Sequence, residues 1–408
     1  MRCLRLHFFL TYGIMGSIMP FFPVYLREVQ SLSSVQIGTV MAVASLAVLI
    51  TPVLFTWLAD LKENTRNLAS GIFLVSATAT SLLFLSRGFG WTLLLYGLQS
   101  LALVPMLPLQ DGLYFRVARS RTESGLATPP FHQIRVWGTI GFISPSIVLF
   151  AGLRAGATLN ITLIAAAVFA VAGLINSRFL PESERRRTES APGENASRLP
   201  TVAAARVLFR PPVVFFCAGM AILQFAVAGY YSFYPIYLTE VAGIESAWLG
   251  LISNIGVTVE IFFMLGFGWL SSRLGIRRII VLGAMAITVR MAALAFLPGA
   301  GIAIGVQLFH GWIIIATLVA PVVYLNRLAG DTFRNSIQGL YAMVIAGLFR
   351  ILGNLFFGQV AERSLTAVFL YGAILSIIAT VLFTVAFREK GDRETSARER
   401  APADPVSR

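Results

Sequence analysis

Apolar runs of about 20 residues, the length that carries a helix across a hydrocarbon core of roughly 30 Å, recur along the whole chain. Short polar segments rich in Arg, Gly, Pro and Ser separate them. The pattern predicts six spans over residues 6–26, 35–58, 67–86, 91–115, 131–153 and 157–180. Six more follow over 212–238, 246–271, 277–297, 301–326, 336–361 and 365–387. Between the two sets, Arg185, Arg186 and Arg187 stand in a row among Glu, Ser, Pro and Gly, the composition of a solvated linker. The expected architecture is an all-α polytopic membrane protein with about 12 transmembrane helices: a bundle at 1–180, a linker at 181–210, a second bundle at 211–387 and a polar tail at 388–408.

Composition agrees. At 57% hydrophobic and 12% charged over 408 residues, with a mean hydropathy of +0.77, the chain is too apolar for a soluble protein of this length. Its net charge of +13 raises the question of nucleic acid, but the placement of the 32 Lys and Arg answers it. Most lie at the ends and in alternate loops on one side. Only Arg27, Arg87, Arg154 and Arg363 fall on the other side, and Arg135, Arg290 and Arg350 fall inside spans. That asymmetry places both termini in the cytoplasm and leaves no basic surface for nucleic acid, and the expected location is a bacterial inner membrane. Cys3 and Cys217 stand far apart, and His7, His132 and His310 have no ligand partners at metal-binding spacing, so neither a disulfide framework nor a metal or other cofactor is expected. The first apolar run passes through Pro20-Phe21-Phe22-Pro23 without a small-residue cleavage site and reads as a span, not a removed signal.

The two sets of spans are related. At an offset of 212 residues and without gaps, Pro23 meets Pro235, Tyr25 meets Tyr237, Glu28 meets Glu240, Gly38 meets Gly250, Trp57-Leu58 meets Trp269-Leu270, and Arg66 meets Arg278. Pro, Gly, Trp and Glu carry the match, which points to a duplicated unit.

Ionisable residues near the bilayer centre cost at least about 2.5–3.5 kcal/mol each on insertion scales, so those present call for a reason. Asp111, at the end of the fourth span, and Arg135, one turn into the fifth, lie at one depth. They can neutralise each other as a helix staple or snorkelling pair, or hold a solute together. Glu260, Arg290 and His310 fall near mid-membrane in spans eight, nine and ten and imply a polar cluster.

Twelve spans, a central linker, a parallel repeat and the loop GWLSSRLGIRRI at 268–279 resemble the major facilitator superfamily, with WLADLKENTR at 57–66 as the loop's earlier copy. The resemblance implies two pseudo-symmetric six-helix bundles and a cytoplasmic latch formed by Asp60, Arg273, Arg277 and Arg278. The first span FFLTYGIMGSIMPFFPVYL and the segment RVWGTIGF are similar to the lactose permease and phenylpropionate permease branch. By that similarity Asp111 replaces the branch's sugar-binding glutamate and Arg135 falls on its sugar-binding arginine. Arg290 and His310 keep that branch's separation of 20 residues. There are departures: Ile313 stands where the proton-coupling acid is expected, Val257 where the span-eight glutamate is, and Phe142 where the sugar-stacking tryptophan is.

The expectation is a secondary transporter, a monomer, symporting a small organic solute with protons by alternating access. Glu260, Arg290 and His310 would couple protons; Asp111, Arg135, Phe142 and Arg350 would bind solute. The retained acid and arginine suit a sugar or nucleoside, and the surplus cation, Arg350, suits an aromatic carboxylate. A uniporter, a sodium-coupled carrier and a non-transporting receptor are the alternatives. No nucleophile–base constellation or nucleotide-binding loop implies an enzyme.

Overall fold

The computed structural model describes residues 1–60, 65–181, 205–329 and 334–387. The linker residues 182–204, the tail 388–408 and the side chain of Asp60 lie outside the described part. Backbone groups in lipid must find their partners within the segment, so apolar runs of this length become helices. Among the described residues there are twelve crossings. The first six are α1 (Arg2–Glu28), α2 (Ser34–Asp60), α3 (Thr65–Leu85), α4 (Phe89–Glu123), α5 (Phe131–Arg154) and α6 (Asn160–Ser177). The second six are α7 (Pro211–Glu240), α8 (249–274), α9 (276–296), α10 (Ala300–Ala329), α11 (Ser336–Arg363) and α12 (Leu365–Val385).

Local chemistry sets several boundaries. Helix α1 breaks at residues 19–21, where Pro20 and Pro23 interrupt the hydrogen-bond ladder. Helices α8 and α9 are nearly continuous, and the turn between them is made at Gly275, whose φ of 77° is open to glycine at little cost. Helix α4 runs to Glu123, past the expected boundary at residue 115, because no Gly or Pro follows until Gly125 and Pro129.

The helices pack as two groups of six. In the first, α5 and α6 pack on α1, α6 on α3, and α4 on α2 and α3. In the second, α11 and α12 pack on α7, and the α8–α9 unit on α10 and α12. The repeat is visible in three dimensions: Tyr25 and Tyr237 are both fully buried near the ends of α1 and α7, the most enclosed helices of their halves.

With twelve crossings, the described ends lie on one side, here the terminal face; the other is the far face. The halves meet through α2 against α11 and α5 against α8, pairings that the repeat interchanges. Gly38 on α2 and Gly250 on α8 stand in these two contacts. A Cβ on Gly38 would lie 2.5 Å from the Asn354 carbonyl oxygen, and one on Gly250 would lie 2.6 Å from Ser146 Oγ. The matched glycines therefore both stand where the halves approach closely. Deeper in, Asn354 accepts from Ser232 Oγ (2.7 Å) and donates to Ser45 Oγ (3.1 Å), tying α7 and α11 to α2. Along α5 and α8 the contact extends from Arg154 and Glu245 to Asn254, whose Nδ2 donates to the Ile143 carbonyl at 3.3 Å. Among the described residues, α4 and α10 pack substantially only within their own halves.

Candidate functional site

In the second half, Glu260 on α8 and His310 on α10 come together, with Glu260 Oε2 3.5 Å from His310 Nε2. Two irregular turns flank His310 on α10. Residues Val306–Phe309 form a tight 3-10 turn and Ile315–Val319 a wide π turn. Such changes of winding re-aim side chains and often accompany functional positions. Gly256, one turn before Glu260, makes room: a Cβ there would meet Gln307 Oε1 at 2.8 Å and the His310 ring at 3.1 Å. Tyr231 of α7 stands edge-on to His310, with ring centroids 6.5 Å apart.

Arg290 of α9 lies beside this pair but is not joined to Glu260. It is 2% exposed, its Nη2 donates to Gln307 Oε1 at 2.7 Å, and its guanidinium lies 3.9 Å from the centroid of the Tyr230 ring. Tyr230 stacks on Tyr234 at 4.6 Å, and the Tyr234 hydroxyl donates to the Ala303 carbonyl at 2.6 Å. A buried cation must be neutralised or well solvated by the protein, and here an amide oxygen and an aromatic face serve it in part, its Nε having no hydrogen-bond partner.

In the first half, Asp111 and Arg135 are near enough to feel each other's charge, yet they form no ion pair. The direct pairing open to them is not made, since α4 packs mainly on α2 and α3 while α5 packs on α1. Tyr12 of α1 takes the place beside Arg135, whose guanidinium lies 4.3 Å from its ring centroid. One carboxylate oxygen of Asp111, Oδ1, is buried without a hydrogen-bond partner. Tyr12 also lies within electrostatic reach of Asp111 and, in the other half, of Glu260. The backbone of Phe142 packs against α1, its carbonyl oxygen 2.1 Å from where a Cβ on Gly16 would stand, and its side chain is half-buried.

Arg350 on α11 follows a π-helical stretch, Tyr341–Leu348, and its Nε donates to Gln224 Oε1 of α7 at 2.9 Å. Tyr231, whose ring meets those of His310 and Tyr230, also lies within electrostatic reach of Arg290, Arg350 and Glu260. Of the latch residues, Arg273 stacks over Trp269 at 5.4 Å on its own helix. Arg277 donates to the Thr384 carbonyl of α12 at 2.7 Å, and Arg278 is exposed. These contacts stay within the second half.

The residues that sequence reasoning missed are Tyr12, Gln224, Tyr230, Tyr231 and Gln307. Glutamines within an apolar span were a readable signal, since a buried amide in hydrocarbon needs partners. The tyrosines carried less, because aromatic residues are common throughout these helices.

The sequence profile of the MFS_1 like family matches residues 1–371. YegT of Escherichia coli (strain K12), a protein named as a nucleoside transporter, is 26% identical over 403 residues, covering 90% of this chain and 89% of YegT. The maltose permease of Geobacillus stearothermophilus is 24% identical over 388 residues, covering 94% of each chain. Among solved structures, two of the nucleoside transporter NupG align with TM-scores of 0.84 and 0.82 at 20% identity, over 95% of this chain and 99% of NupG.

Proposed function

From a chain that belongs to the MFS_1 like family, a membrane transporter of the major facilitator type, we propose a proton-coupled symporter for nucleosides or related small hydroxylated solutes. The observation that carries the reading is the approach of Glu260 to His310 inside the membrane, on the side that faces Tyr12, Arg135 and Asp111 of the other half. An acid and an imidazole in contact can exchange a proton as their surroundings change, and solute arriving between the halves changes those surroundings. Asp111, Arg135, Phe142 and Arg350 hold the solute; Arg and carboxylate groups present charge-assisted hydrogen bonds suited to hydroxyls and to base edges. Arg290, held by Gln307 and Tyr230, acts through the field it imposes on the Glu260–His310 pair.

The protein lies in the bacterial inner membrane with both termini in the cytoplasm, as the distribution of its arginines supports. The terminal face is then cytoplasmic. The bonds on the far face, together with the separate packing of α4 and α10, support reading this arrangement as the inward-open state of an alternating-access cycle. The division 1–180 and 211–387 gives the two rigid halves of that cycle, with Asp60, Arg273, Arg277 and Arg278 closing the terminal face in its outward-open state.

Uptake into proteoliposomes with an imposed pH gradient, over a panel of nucleosides, sugars and aromatic carboxylates, tests this. Nucleoside accumulation that follows the gradient and is competed by other nucleosides is the expected result. Equilibration without accumulation removes proton coupling. One observation favours a second substrate class: Arg135, Arg290 and Arg350 are each held by an uncharged partner, which leaves positive charge for an aromatic carboxylate. Competition by carboxylates and not by nucleosides would select that reading.

A further inference from the structure

On the far face the repeat sets acids and hydroxyls in matched positions, and the structure uses them to join the halves. Glu28 and Glu240 correspond at the 212-residue offset, as do Ser34 and Ser246. Each acid ends the first helix of its half, and each serine opens the helical turn that begins the second. On one arm the contact is direct: Ser246 Oγ donates to Glu28 Oε1 at 3.1 Å. On the other arm a guanidinium intervenes. Arg27 Nη2 donates to Ser34 Oγ at 2.7 Å, and its Nε stands 3.1 Å from Glu240 Oε1. Arg27 thus holds a serine of its own half and an acid of the other.

The repeat places Thr239 opposite Arg27, and the Thr239 hydroxyl turns back onto the Ile236 carbonyl of its own helix. The lock is therefore asymmetric, with its cation in the first copy. Two further contacts support it. Arg154 Nη1 meets Glu245 Oε2 at 2.5 Å, and the Val35 N–H at the start of α2 donates to Glu362 Oε2 at 3.3 Å, where a helix N-terminus favours a carboxylate. Arg154 and Glu245 are 52% and 62% exposed, against 26% and 43% for Arg27 and Glu240, so water weakens the first pair more.

We propose that Arg27 is the catch that holds the far face shut: its guanidinium joins Ser34 to Glu240, and releasing that contact is what lets the far side open. The inference rests on the alternating-access reading above. A partly exposed pair suits a catch, because its modest strength lets a bound solute or a changed gradient open it.

The test uses the full chain in lipid nanodiscs, with Cys3→Ser and Cys217→Ala and spin labels at Gly90→Cys and Gly301→Cys. Both sites are on the far face, one in each half, and a Cβ at either meets nothing within 4 Å. Distance distributions are compared for the otherwise unaltered chain, Arg27→Gln, Arg154→Gln and the exchange Arg27→Glu with Glu240→Arg. Arg27→Gln is expected to raise the ratio of long to short separations about two- to fivefold, the shift a partly exposed ion pair commands. Arg154→Gln is expected to do less, and the exchange to restore the short distance. An unchanged distribution in Arg27→Gln, while nucleosides or a pH change still lengthen the distance in the unaltered chain, overturns the catch and leaves alternating access standing. A distance that responds to no solute, pH or variant overturns alternating access along with it. Lengthening in Arg27→Gln that the exchange fails to reverse assigns the effect to something other than the Glu240 contact and also overturns the proposal.

Discussion

The two halves share a scaffold but hold their buried charges differently. In the second half Arg290 has an amide and an aromatic ring, His310 has Glu260, and Arg350 has Gln224, while Arg290 Nε and His310 Nδ1 stay buried without a hydrogen-bond partner. In the first half, among the described residues, Arg135 has the face of Tyr12 alone, and a buried oxygen of Asp111 has no hydrogen-bond partner. A cluster whose charged groups each have a side-chain partner suits a task internal to the protein, such as passing a proton. Groups left unsatisfied suit a task that an arriving solute completes, since a solute hydroxyl can supply the missing bond.

The largest expected effect breaks the comparison at its centre. Glu260→Gln keeps the shape of the site and removes the proton, so accumulation driven by a pH gradient should fall to the level seen without one, while exchange of labelled for unlabelled solute continues. Asp111→Asn should instead weaken binding and leave accumulation responsive to the gradient. If Glu260→Gln still accumulated solute and Asp111→Asn did not, the halves would have to trade roles.

Next in size is a difference in stability. Gln307→Leu strips the acceptor from a fully buried guanidinium, at a cost of about 1–3 kcal/mol or more. Its thermal midpoint in detergent should drop, and Gln307→Glu, which offers Arg290 a charged acceptor, should recover it. The matching change in the first half, Asp111→Leu, removes a carboxylate with an unpartnered oxygen and should leave the midpoint level or higher. Equal losses in the two variants would mean that both halves are knit alike.

Solute affinity comes third. If Arg135 bonds solute through its guanidinium, Arg135→Leu removes one or two charge-assisted hydrogen bonds worth about 1.5–3 kcal/mol, and KM should rise roughly 10- to 150-fold with the gradient response retained. A rise confined to kcat would move Arg135 out of the binding site.

These distinctions also mark how far the sequence could be read. Apolar run lengths specify depth along the membrane normal, and depth was enough to collect Asp111, Arg135, Glu260, Arg290 and His310 at two levels. The 212-residue offset identified Gly38 with Gly250 before either was seen between the halves. Depth does not specify direction around the helix axis or which helices are neighbours. Asp111 and Arg135 share a level, yet α1 stands beside α5 and contributes Tyr12. Glu260 and Arg290 likewise share a level, but Arg290 turns toward α7 and α10. The partners chosen there, a tyrosine face and a glutamine oxygen, carry no net charge, so charge bookkeeping along the chain could not find them.

The smallest effect tests the weakest of these contacts. Arg135 is held over Tyr12 by an attraction of about 0.5–1 kcal/mol where water has access, and the ring fixes the direction in which the guanidinium presents its donors. Tyr12→Leu should raise KM about two- to fivefold, and Tyr12→Phe, which keeps the aromatic face, should raise it less. The pair of variants separates two uses of the residue. If Tyr12→Phe is as damaging as Tyr12→Leu, the hydroxyl and not the ring is what counts. Tyr12 would then belong with Glu260, whose charge it feels across the interface, and the first half would hold part of the proton path.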